Sequence, residues 1–145
     1  MKFRFEPILN LKQYREDDCK FRMKREETTL LKIDEKLANL EARSTKEKKY
    51  LESVGTGRID PFILSTGSGV LFFLQQKRVE TQEERLSQAE QVEKARTALI
   101  SARKERKTME KMKENFLSRE NKSTLAQEQK VLDEIGINRA HRGKR

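Results

Sequence analysis

The sequence predicts an all-α protein, a long antiparallel two-helix coiled-coil hairpin, and three observations carry that expectation. Gly55, Gly57, Pro61, Gly67 and Gly69 crowd into one stretch, while neither glycine nor proline occurs from Ile8 to Val54 or from Val70 to Ile135. On both sides of that stretch apolar residues recur at alternating steps of three and four, the spacing of a heptad seam. Of the 145 residues 34% are hydrophobic and 39% charged, enough for two narrow stripes that face each other and too little for a broad core.

A single hairpin domain over residues 1–145 follows, with a helix from about 5 to 54, a glycine-rich loop over 55–69, a helix from about 70 to 135 and a basic tail over 136–145. In the first helix the seam runs through Leu30, Ile33, Leu37 and Leu40, then Ser44, Glu47, Leu51 and Val54. Backward it meets Glu26, Met23, Cys19, Glu16, Lys12, Leu9 and Phe5, so it weakens toward the amino end. Cys19 is expected to pack as a small apolar residue. As the lone cysteine it has no disulfide partner within the chain, which points to a reducing compartment.

The loop carries Ile59, Phe62, Ile63 and Leu64. So much apolar surface in a long loop either binds a partner or caps the end of the coiled coil. In the second helix the stripe is Val92, Ala95, Leu99, Ala102, Arg106, Met109, Lys113 and Phe116. Its two basic members are expected to lay their aliphatic stems along the seam and send their charges to water. Leu125, Leu132 and Ile135 continue the helix, and Gly136 is a plausible stop.

At 1.5 Å per residue the first helix is roughly 70 Å long and the second roughly 100 Å. Folded back at the loop, the first finds a partner only to about residue 118. The rest of the second helix must overhang, and Phe3, Phe5, Ile8 and Leu9, with Leu125, Val131, Leu132 and Ile135 opposite, need a cover supplied by each other or by a partner.

Lys and Arg number 33 against 24 Asp and Glu, a net charge of +9. The excess is spread among acids, apart from Arg103, Lys104, Arg106, Lys107, Lys111 and Lys113 and the tail Arg139, Arg142, Lys144 and Arg145. Solvated helix faces account for such runs, and anion binding is the alternative. A specific nucleic-acid partner is not expected, because the basic stretch lacks the interleaved aromatics on which bases stack. No membrane span is visible, so a cytoplasmic protein without an integral membrane segment is expected.

Catalysis and cofactors are not expected. Neither Gly55-Thr56-Gly57-Arg58 nor Gly67-Ser68-Gly69-Val70 continues into the Gly-Lys-Ser/Thr of a phosphate-binding loop. One histidine, His141, and one cysteine cannot assemble the usual zinc sets or triads.

The opening Phe3 to Asp17, an aromatic start running into Leu9, Leu11 and an Arg15-Glu16-Asp17 stretch, resembles that of the FliJ family of the bacterial flagellar export apparatus. Gln127-Glu128-Gln129-Lys130-Val131-Leu132-Asp133-Glu134-Ile135 is similar to the family's close, and length, basic balance and central break agree over nearly the whole chain. The resemblance implies a non-enzymatic stalk that enters the pore of the hexameric FliI-like export ATPase, contacts the cytoplasmic domain of the FlhA-like export gate and handles export chaperones, peripheral at the cytoplasmic face of the inner membrane. Carried over, Phe3, Phe5, Leu9, Val131, Leu132 and Ile135 would face the ATPase, and Phe62, Phe72, Phe73 and Val79 the gate. The family's gate contact is an aromatic followed by residues one helical turn apart. Gln76 or Lys77 after Phe72 or Phe73 departs from its apolar turns. The equivalent stalk of a virulence-type secretion system and a nucleic-acid-binding hairpin are the alternatives.

Overall fold

The computed structural model describes the backbone of residues 3–142 and the side chains of residues 3–138. The expected basic tail from Arg139 onward, with His141, lies outside the described side chains. Two helices, α1 (Glu6–Val54) and α2 (Pro61–Arg142), make up an all-α hairpin, with no strand among the described residues. Packing divides the chain into two compact units, one of Asp18–Leu99 and one of Met1–Asp17 with Ile100–Arg145.

The unit of Asp18–Leu99 holds the turn. α1 ends as Gly55 N–H donates to the Leu51 carbonyl at 2.9 Å, and α2 begins after only six further residues. The expected loop over 55–69 is therefore too long, and the missed signal is Asp60-Pro61. The Asp60 carboxylate accepts from the Phe62 N–H at 2.9 Å and its carbonyl from the Leu64 N–H at 3.2 Å. Asp is a strong N-cap, and proline is pre-organised for the first helical position. Two glycines read as loop residues are thus inside α2. Gly67 is buried because the helices touch there: a Cβ on it would meet Leu51 Cγ at 3.0 Å and both Leu51 methyls closer still.

Within this unit Ile33, Leu74, Ala95 and Leu99 are buried, and Leu30, Leu37, Leu40, Cys19 and Val92 are half-buried. Arg85 bonds Asp34 at 2.5 Å and Arg78 bonds Glu41 at 3.2 Å. Seven residues forward on α1 thus meet seven residues back on α2, an antiparallel pairing with a heptad repeat. Arg78 and Arg85 hold α2 register positions between buried Leu74, buried Thr81 and half-buried Gln88, which explains why no apolar stripe could be read before Val92. Gln88 donates to the Glu26 carbonyl at 3.1 Å and to its carboxylate at 2.7 Å.

In the other unit α1 and α2 are again antiparallel, with Glu6 opposite Lys113 at 2.7 Å and Lys12 opposite Glu105 at 2.5 Å. Leu9 is the buried apolar residue here. α2 runs through Gly136 to Arg142, so Gly136 is not a stop. No described glycine takes the positive φ that a glycine helix cap uses.

Gly69 has nothing within 4 Å of where its Cβ would lie. Gly69→Ala should raise stability by about 0.5–1 kcal/mol, the helix-interior cost of glycine. Gly67→Ala should forfeit that gain, because Leu51 must move, and overpacking costs about 1–3 kcal/mol. Urea unfolding of the two variants, followed by circular dichroism, checks the opposite signs.

Candidate protein-binding ends

The unit of Met1–Asp17 and Ile100–Arg145 has a polar seam. Glu16 is 3% exposed, and a carboxylate that deep in a helix pair needs cations or it would be costly. It accepts from Arg103 at 3.3 Å and from Arg106, which also bonds Glu110. Arg106 does not send its charge to water as expected from the sequence. It turns into the seam, and its hydrogen bond with Glu16 strengthens its hold on the proton. Lys113 likewise finds Glu6. The excess of basic residues on this part of α2 is therefore partly consumed in pairing with α1.

Of the residues expected at the ATPase-facing end, Phe3 packs on Phe5 and Phe116, with ring centroids 5.7 and 5.6 Å apart. Leu9 is buried in the seam and cannot offer a docking surface. Phe5 remains 44% exposed. Val131, Leu132 and Ile135 belong to a stretch of α2, residues 121–138, in which every position is exposed. This is the overhang that the unequal helix lengths imply. The seam register carried past Phe116 falls on Glu120, Ser123, Gln127, Lys130 and Glu134, all polar. Leu125, Val131, Leu132 and Ile135 lie off that register, so the apolar side of the overhang is not a continuation of the surface that meets α1. The sequence already carries that shift of phase, since every register position past Phe116 is polar.

In the unit of Asp18–Leu99, the residues expected to face the gate are all exposed on α2: Phe62, Phe72, Phe73 and Val79. Phe72, Gln75, Gln76, Val79, Glu80 and Glu83 line one shallow groove, apolar at Phe72 and Val79 and polar between. Phe73 lies elsewhere, under the Lys77 ammonium at 5.9 Å. Nearer the turn, Phe62 and Ile63 line a second groove with Glu47, Tyr50, Thr66 and Gly67. The apolar turn residues therefore do not form a closed cap: Ile59 and Leu64 stay at least half exposed, while Ile63 is half-buried. No described helix is long and apolar enough to cross a membrane.

The chain is an all-α helical hairpin with ion pairs across its helices, an exposed apolar stretch on α2 and an exposed aromatic groove. A comparison with protein families matches residues 1–145 to the family described as flagellar FliJ protein. The chain belongs to the FliJ family, whose members are components of type III protein export. Among solved structures, one described as a proposed YscO homolog, CT670 of Chlamydia trachomatis, shares the fold with a TM-score of 0.70 and 24% identity, over 100% of this chain and 99% of that one. No curated protein matches the chain.

The Lys12 hydrogen bond and charge hold the Glu105 carboxyl below its ordinary value. A carboxyl lowered in the folded chain adds stability above the unfolded carboxylate pKa and loses it as pH falls through the folded one. Lys12→Ala should therefore move the Glu105 titration up toward the ordinary carboxylate range and remove that acid-sensitive contribution. Carboxyl chemical shifts followed by NMR across the acid range check it.

Proposed function

We propose that this chain is a non-enzymatic stalk and escort of the flagellar type III export apparatus. Its overhanging end inserts into the ring of a FliI-like hexameric ATPase, and its aromatic groove meets a FlhA-like export gate. Export chaperones are further partners. The observation that carries this reading is the fully exposed stretch 121–138, where Leu125, Val131, Leu132 and Ile135 project from a helix that α1 no longer covers. Scattered apolar residues on a surface are ordinary, but a run of them on an unpartnered helix next to a completed seam suits a docking element. Membership of the FliJ family supports the partner class.

Exposure supports a narrower set of residues for that end. Val131, Leu132, Ile135 and Phe5 are the contacting set, whereas Leu9 and Phe3 support it from inside the helix pair. At the gate-facing end Phe72 and Val79 are the anchors, with Gln76 between them in place of an apolar residue. Phe62 and Phe73 flank that groove as secondary contacts. Paired helices are stiffer than a single one, which suits a chain through which an event at the ATPase acts on the gate. The shared fold with the proposed YscO homolog keeps the equivalent virulence-type stalk as the second reading. Gene neighbourhood separates the two: flagellar genes beside an ATPase gene favour the first, and needle-complex genes the second.

Titrating the purified chain into the export ATPase should raise hydrolysis and promote hexamer formation. Leu132→Asp with Ile135→Asp should abolish both effects while leaving helix content largely intact, since both side chains are at least half exposed. An unchanged response in the double variant would clear this end of the role.

A further inference from the structure

The two units are held by different forces. Among the described residues, the unit of Asp18–Leu99 buries Ile33, Leu74, Ala95 and Leu99, and its cross-helix ion pairs, Arg78 with Glu41 and Arg85 with Asp34, have side chains 41–58% exposed. Such pairs contribute little to stability. The unit of Met1–Asp17 and Ile100–Arg145 buries Leu9 and Glu16. Ion pairs cross its seam: Lys12 with Glu105, Glu6 with Lys113, and Arg103 and Arg106 with Glu16. Here the Glu16 side chain is 4% exposed and those of Arg106 and Lys12 are 23%.

We infer that the first turns of α1, residues 6–17, form a charge-held latch on α2 that ionic strength releases while the apolar pairing of the other unit stays closed. The charges cannot simply be left apart. Glu16, once separated from Arg103 and Arg106, must return to water, and that return is cheap only when α1 leaves α2. Dissolved ions reduce the pull that opposes the departure through its partly exposed members, Arg103, Lys12 with Glu105 and Glu6 with Lys113, because the screening length falls from about 10 Å at 0.1 M to about 3 Å at 1 M. Two features make the opening local. Among the described residues Leu9 is the buried apolar side chain, and Phe3, Met109 and Phe116 are only half-buried, so apolar resistance is limited. The segment is at the end of its helix, and about a dozen residues without tertiary packing do not sustain a helix. Release bares Leu9 and the Phe3 ring that rests on Phe116.

Hydrogen exchange of the full-length chain, read by mass spectrometry at about 0.05 M and about 1 M NaCl, tests the latch. Amides of residues 8–16 should exchange on the order of tenfold faster at high salt, with those of residues 30–40 unchanged. Replacing the buried pair by Glu16→Leu with Arg106→Leu should slow exchange over 8–16 and reduce its salt response to the share carried by Lys12 with Glu105 and Glu6 with Lys113, since a packed apolar pair needs no counter-charge. The inference is overturned if salt leaves 8–16 unchanged, if it loosens 30–40 to the same extent, or if the double variant keeps the full salt response.

Discussion

A carboxylate buried between two helices is tolerable only if cations reach it from the partner helix, and Glu16 meets that demand through Arg103 and Arg106. Much else in the chain depends on the same constraint. With 39% of its residues charged, the protein cannot keep every charge off the one surface its helices share. It answers by pairing them across the seam. Each pairing is also a statement of register: Asp34 with Arg85 and Glu41 with Arg78 fit together only when α1 and α2 slide to one position. Apolar residues at heptad spacing favour contact without strongly choosing among registers, and the ion pairs supply that choice. In the unit of Asp18–Leu99 the thin apolar core then provides most of the adhesion.

The seam of α1 was legible position by position. Every step from Leu9 to Val54 at the three-and-four spacing is buried or half-buried, including the polar members Glu16, Ser44 and Glu47. The pattern fails only at the start, where Glu6 takes the half-buried place expected of Phe5, because Lys113 waits opposite it. α2 was less legible. Glycine is a weak helix former, so Gly67 and Gly69 read as loop, although Asp60-Pro61 states a helix start and Gly67 is required by the approach of Leu51. Local propensity was overridden by a tertiary contact that no short window of sequence contains. Arg106 was misjudged for a similar reason: its partner is ninety residues away.

The candidate ends were legible in kind and less so in detail. Unequal helix lengths already implied an unpaired extension, and exposure over 121–138 agrees. Which residues at that end are surface and which are interior could not be read without packing. Leu9 and Phe3 are equally apolar in sequence to Leu132 and Ile135, yet the first two are engaged inside the hairpin and the last two are open. At the other end the groove from Phe72 to Glu83 follows from helical spacing alone, since residues three, four and seven apart share a face.

On the proposed function, the change of phase beyond Phe116 separates two tasks along one helix. Because Leu125, Val131, Leu132 and Ile135 stand off the stripe that meets α1, a substitution that alters partner choice there leaves intramolecular pairing untouched, and the reverse holds for the seam. Such independence lets the docking face diverge between lineages at no cost to folding. Homologues of this chain should therefore vary on the overhang and the seam at unrelated rates.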